Sequence, residues 1–336
     1  MPPEMNVVIT GGAGFLGLRL ARKLLDRGTL QDAEGQNRPI DRIVLVDVTE
    51  PAAIVDPRVS RVTGDISDAA LLTRILDADT TAVFHLAAIV SGMAEADFDL
   101  GMRINVDATR QLLEACRRGG RCPRLVFTSS VAVYGGDLPD IISDTTALNP
   151  QTSYGIQKVI GELLVADYTR KGFIDGRALR LPTISVRPGR PNAAASSFAS
   201  GIVREPLNGE DGMCPVDPGA RMWLASPDTA IAALIAAYEL PSSALGNRRW
   251  INVPGISVTA GEMVASLERV AGPEVAKRVR WQPDPRIERM VRGWPGTLDN
   301  SRACALGFPV DESFDAIIRR YIEQDMPRAR RAPAPL

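Results

Sequence analysis

Tyr154 and Lys158 stand four residues apart in Tyr154-Gly-Ile-Gln-Lys158, just after the turn residues Asn149-Pro150 and at the head of an amphipathic stretch reaching Arg170. At that spacing the two side chains share one face of a helix. A phenol ionises near pH 10, so it acts as a base near neutrality only if its pKa falls by about three units, roughly 4 kcal/mol of differential stabilisation. A neighbouring ammonium and a cofactor charge are the groups able to supply it. Ser129 and Ser130 close the run Phe127-Thr-Ser-Ser, which places hydroxyls at the C-terminal end of a predicted parallel strand, where open α/β sheets bind ligands. A hydroxyl donor beside a tyrosine base holds a carbinol or carbonyl oxygen and orients hydride transfer. Each feature alone has a plainer reading, a polar helix surface for the pair and N-capping for the serine.

A third feature changes that balance. Gly11-Gly-Ala-Gly14-Phe-Leu-Gly17 directly follows a predicted strand and opens a predicted helix. In that setting Gly11 permits a tight turn, Gly14 lets backbone approach a pyrophosphate, Gly17 permits close packing, and the helix N-terminus with Phe15 and Leu16 favours negative charge. Asp47 ends the next strand, where its carboxylate is suited to a ribose diol and repels a 2'-phosphate, so NAD is preferred over NADP. It lies about 30 residues beyond Gly17 instead of roughly 20. The polar stretch 28–39, containing Gly and Pro, accounts for the difference and reads as an insertion running over the surface.

The elements that must position these groups follow from apolar periodicity. Short β-branched runs at 6–10, 42–47, 58–63, 81–85, 124–128 and 177–181 alternate with amphipathic stretches at 15–27, 69–76 and 104–118. This is βαβ patterning, and it implies a doubly wound parallel sheet of Rossmann type with both faces covered. After Leu181 the alternation stops, and 182–219 is rich in Pro, Gly, Asn, Ser and Ala, with a helical pattern only at 196–204. Such irregular stretches commonly carry function. Further on, 249–253 reads as a strand, Thr259-Ala-Gly-Glu262 has capping-box spacing for a helix to Val270, and 314–323 is amphipathic. Residues 1–181 therefore read as mainly the cofactor domain, 182–326 as mainly a smaller substrate-binding region, and 327–336 as a solvated tail.

Composition excludes several classes. The 336 residues carry 39 Lys plus Arg against 40 Asp plus Glu, a formal charge of -1, with no basic surplus for nucleic acid or an anionic membrane. Histidine-based metal sites and Ser-His-Asp triads are disfavoured by a single histidine, His85. Cys116, Cys122, Cys214 and Cys304 form no CxxC pair and read as reduced structural thiols, so no metal is expected. No apolar run approaches the ~18 residues of a membrane span, and no secretory leader pattern opens the chain. The expected location is the cytoplasm.

Taken in this order, the glycine turn, Ser130 and the Tyr154–Lys158 pair resemble the extended short-chain dehydrogenase/reductase family, the NAD-dependent epimerases and dehydratases. The resemblance implies that Tyr154 is the base, that Lys158 binds the nicotinamide ribose and lowers the phenol pKa, and that Ser130, supported by Ser129, binds the reacting oxygen. It further implies that Asp65 and Ile66 flank adenine, that Leu86, Ala87, Ala88 and Pro182 lie along the cofactor, and that Asn105 supports the site from its helix. His85 then becomes a structural strand-end residue. Within the family the stretches 85–101, 180–192, 195–209 and 214–218 are similar to those of enzymes acting on four-carbon sugar acids, which implies oxidation of D-erythronate at C2 to 2-dehydro-D-erythronate.

A small hydroxy acid needs a cation for its carboxylate, and Arg187, Arg190 and Arg221 lie in the substrate half, with Arg187 preferred. Ser91 and Thr183 are additional substrate contacts. The main alternative is a nucleotide-sugar epimerase using the same Tyr154, Lys158 and Ser130 with bound NAD; a noncatalytic NAD-binding sensor is a third. A dehydratase lacks its acid, because Val131 and Ala132 follow Ser130. The family also implies a homodimer built from helices 104–118 and 154–170.

Overall fold

A computed structural model of the chain describes residues 4–189 and 194–326. Its main sheet has eight strands. Seven run parallel in the spatial order Trp250–Asn252, Asp175–Leu181, Arg124–Ser130, Thr80–His85, Met5–Thr10, Asn37–Asp47 and Val59–Thr63. The chain first steps outward from Met5–Thr10 through Asn37–Asp47, then returns to Thr80–His85 on its other side. The order therefore reverses between Thr10 and His85, which are register partners. A crevice opens at the strand ends there, the usual ligand position in such sheets.

Burial explains the strand sequences. Val7, Val8 and Ile9 are fully buried, because helices cover both faces and each side chain meets apolar neighbours whichever way it points. One face packs Leu20, Ala21 and Leu24 of helix Phe15–Arg27 together with the alanine-rich helix Pro227–Glu239. Leu112, Leu113 and Val165 pack on the other face, from helices Thr109–Gly119 and Ser153–Arg170. The predicted helix 104–118 differs in form: Met102–Ala108 is π-helical and the α-helix begins at Thr109.

The segment 28–39 runs over the surface as a β-hairpin, with 33–37 exposed at its tip. Thr29–Gln31 pairs antiparallel with the start of strand Asn37–Asp47, Thr29 opposite Pro39 and Gln31 opposite Asn37, so the strand ending at Asp47 starts at Asn37. Leu30 drives this arrangement, being fully buried in the core shared with helix Phe15–Arg27.

A smaller unit holds a three-stranded sheet of Thr183–Ile184, Arg221–Ala225 and Ile256–Thr259, with helices Phe198–Leu207, Ala260–Ala271 and Phe314–Gln324 around a separate core. Thr259 and Glu262 form the expected capping box. The division near residue 181 is crossed, since Pro227–Glu239 and Trp250–Asn252 return to the main sheet. Cys116 and Cys214 are buried and Cys122 and Cys304 exposed, all as free thiols. No described helix is long and apolar enough to cross a membrane. Arg190 and the tail 327–336 lie outside the described residues.

Candidate active site

Ser130 closes strand Arg124–Ser130, and Tyr154 and Lys158 come from the first two turns of helix Ser153–Arg170. The Thr152 hydroxyl caps that helix by accepting from Gly155 N–H at 3.1 Å. Gly155 is required where the helix meets the strand end, because a Cβ there would stand 2.2 Å from the Ala132 carbonyl oxygen. This close approach sets the Ser130 hydroxyl near the Tyr154 phenol, where it favours the ionised phenol. The Ser130 Oγ also accepts from Ala132 N–H at 3.1 Å.

Lys158 is buried and donates from Nζ to the Thr128 carbonyl at 2.8 Å. Burial opposes charge at both partners. It pushes the Tyr154 phenol up to about 12 against the pull of the Ser130 hydroxyl and the Arg187 charge, and lowers the Lys158 ammonium to about 7 against the support of Glu162. An ammonium this near a phenol favours the phenolate wherever both carry charge.

These groups line one cavity of about 520 Å³. Its cofactor side carries Gly11, Gly14, Phe15, Leu16 and Gly17, with Leu86, Ala88 and Pro182. Ser91, Thr183 and Arg187 line it as well. The glycine turn fits a pyrophosphate. Gly14 caps helix Phe15–Arg27 without a side-chain bond, and the first turn holds no acid, so backbone N–H groups face the cavity. Gly11 has a φ of +72, and a Cβ on it would stand 2.8 Å from Ala87 N; a Cβ on Gly17 would stand 2.2 Å from the Gly11 oxygen.

Other predicted residues stand behind the wall. Asp47 accepts from Ala13 N–H at 3.0 Å and from Thr49, which fixes the carboxylate beside the glycine turn. Asp65 pairs with Arg103 at 2.8 Å, and Ile66 is buried in the core. Ala87 abuts Gly11 through its backbone. Asn105 accepts from Ile89 N–H and donates to Ile89 O and Gln157 Oε1, so its side chain braces the loop after His85. Ser129 points to Glu162 at 2.5 Å, away from Ser130. His85 is held neutral by burial, its pKa pushed down to about 3, between Thr10 at 2.7 Å and Thr109 at 3.0 Å.

Of the arginines, Arg187 reaches the cavity, whereas Arg221 is exposed and bonds Ser257. Sequence reasoning missed Arg204, Met222, Trp223, Met290 and Trp294, which line the same cavity. Arg204 lay within the predicted helix 196–204, a signal available but unused. Met290 and Trp294 had none, because only folding brings that distant segment over the site.

The sheet reversal, the glycine turn and the Ser130–Tyr154–Lys158 group together define a Rossmann-type enzyme that works with a dinucleotide. The model of the NAD dependent epimerase/dehydratase family matches residues 7–249, and the chain belongs to that family. It uses NAD. Over 95% of its length it is 62% identical to the D-erythronate dehydrogenase of Cupriavidus necator, covering 98% of that protein. It is 47% identical to the D-erythronate dehydrogenase of Haemophilus influenzae, over 96% of this chain and 100% of that one. A solved structure described as the nucleoside-diphosphate-sugar epimerase from Agrobacterium tumefaciens superposes with a TM-score of 0.91 at 42% identity, covering 96% of this chain and 95% of that one.

Proposed function

We propose that this chain oxidises the C2 hydroxyl of D-erythronate to 2-dehydro-D-erythronate. The observation that carries this reading is the convergence of Ser130, Tyr154, Lys158 and Arg187 on one cavity with the glycine turn. Two relatives with the D-erythronate dehydrogenase name, both matched nearly end to end, support the choice of substrate.

The residue roles follow from placement. NAD, when bound, supplies the hydride acceptor for the C2 hydrogen. Backbone N–H groups at the start of helix Phe15–Arg27 bind its pyrophosphate, and Asp47 takes the adenine-ribose diol. Asp65, Ile66, Leu86, Ala87, Ala88 and Pro182 border the dinucleotide, with Asn105 bracing that loop. Ser130 holds the substrate oxygen, the Tyr154 phenolate removes the hydroxyl proton, and Lys158 stabilises the phenolate. Arg187 binds the carboxylate through charge-assisted hydrogen bonds, while Ser91 and Thr183 contact the remaining hydroxyls.

The same reading places the enzyme in the cytoplasm as a homodimer. Met93, Phe98, Ile156 and Leu163 are exposed on helices that pack side by side, and Leu163 is 65% exposed. Such an apolar set suits a helical interface between two copies.

The test is to follow NADH on mixing protein and NAD with D-erythronate, L-threonate or a UDP-hexose. Sustained NADH with D-erythronate is the expected result. Conversion of the UDP-sugar without net NADH, and no response to either acid, would replace this reading by an epimerase.

A further inference from the structure

The segment carrying Ser130 is fastened on both sides by one buried ion pair. Glu162 lies on helix Ser153–Arg170, one turn beyond Lys158 and two beyond Tyr154. Arg180 lies on the adjacent strand Asp175–Leu181. Their side chains are 5% and 2% exposed, and the guanidinium meets the carboxylate twice, Nη2 to Oε2 at 2.6 Å and Nε to Oε1 at 2.9 Å. Just before Ser130, the Ser129 hydroxyl donates to Glu162 Oε1 at 2.5 Å. Just after the turn Val131–Val133, Arg180 Nη1 donates to the Tyr134 hydroxyl at 2.7 Å, and that hydroxyl donates to Asn252 Oδ1 at 2.9 Å.

A buried ion pair is a poor source of net stability, since desolvation offsets most of the attraction. Its consequence here is geometric. Ser130 is the last residue of its strand, with its backbone paired opposite Leu181 and its hydroxyl accepting from Ala132 N–H, so what fixes the residues on either side of it also fixes the direction of that hydroxyl. Hydride and proton transfer are sensitive to displacements of about 1 Å, which can cost roughly a hundredfold in rate.

We propose that Glu162 and Arg180 are positioning residues for the reaction, pinning Ser129 and Tyr134 so that the Ser130 hydroxyl stays directed into the cavity beside the Tyr154 phenol. Because Glu162 shares its helix with Tyr154 and Lys158, the substrate-holding hydroxyl is registered directly against the element that carries the base. The inference rests on the roles given above to Ser130 and Tyr154.

Ser129→Ala and Tyr134→Phe each remove one fastening without touching the ion pair, and Ser129→Thr keeps the hydroxyl. Each is measured for kcat, KM for NAD and the pH profile of kcat/KM, beside Ser130→Ala and Tyr154→Phe. The expected result is a ten- to hundredfold loss of kcat in Ser129→Ala and Tyr134→Phe with KM for NAD within twofold. Their acidic limb moves to higher pH, because a displaced Ser130 no longer supports the phenolate, and Ser129→Thr recovers most of the rate. A merely structural role would lower the melting temperature and leave kcat and the limb in place. Folded Ser129→Ala and Tyr134→Phe with wild-type kcat and pH profile, while Ser130→Ala is inactive, would overturn the proposal; if Ser129→Ala does not fold, Tyr134→Phe decides. Retained turnover in Ser130→Ala and Tyr154→Phe would overturn the functional reading itself and this inference with it.

Discussion

The Lys158 ammonium sits 5.5 Å from the centre of the Tyr154 ring, one helical turn away, and is anchored there by the Thr128 carbonyl. A cation fixed this close favours ionisation of the phenol, while its own burial works against its charge and the Glu162 carboxylate supports it.

Removing the phenol hydroxyl separates chemistry from binding. Tyr154→Phe should fold and bind NAD like the native protein while turnover falls by about a thousandfold, in the range for a lost acid/base group. Equilibrium NAD binding and single-turnover NADH formation check it. A variant retaining more than a tenth of the native rate would remove Tyr154 from the role of base.

Arg187 lines the cavity close enough to Tyr154 for the two charges to interact, whereas Arg204 in the same wall is engaged by the Arg187 carbonyl and Glu205. Arg187→Ala should lower kcat/KM for the sugar acid by roughly 10- to 100-fold, the scale of one charge-assisted hydrogen bond, and leave KM for NAD unchanged. Arg187→Lys should recover part of the loss, since charge without the planar fork is an incomplete substitute. Steady-state kinetics with each substrate varied in turn distinguishes this from a general loss of fold, which would affect both.

The single histidine makes stability depend on pH in a narrow window. His85 is 1% exposed, and its folded pKa is depressed from 6.5 to about 3. Below pH 6.5 the unfolded chain takes up a proton that the folded chain refuses, so stability is complete above that pH and is lost as pH falls. Between pH 6.5 and about pH 5, above the carboxylate range and below most of the Lys158 titration, unfolding free energy should drop by about 1.5 kcal/mol. Urea unfolding at the two pH values measures it, and a flat response would mean that the folded chain takes up the proton as readily as the unfolded one, so that His85 is not held neutral by burial.

Much of this organisation was legible because the decisive signals are local. The glycine turn needs φ values and clearances that only glycine offers, and the strands Met5–Thr10 and Arg124–Ser130 are apolar runs no exposed segment would carry. Strand alternation could also have separated the two serines: neighbours on a strand face opposite ways, so Ser130 at the cavity places Ser129 toward Glu162. The hairpin over Thr29–Asn37 was hidden by its Gly, Asn and Pro content, since one buried Leu30 and the pairing of distant backbone outweigh local turn propensity. Asn105 illustrates the remaining gap. Its placement on a helix beside the site was evident, but the engagement of its amide with Ile89 and Gln157 depends on contacts no spacing encodes.

The most direct test of the central claim follows the hydrogen at C2. D-erythronate deuterated at that carbon should deliver its label to the nicotinamide ring, giving deuterated reduced cofactor and unlabelled 2-dehydro-D-erythronate in equal amounts. Label retained in the sugar acid, or lost to water without reduction of NAD, would contradict oxidation by direct hydride transfer from C2.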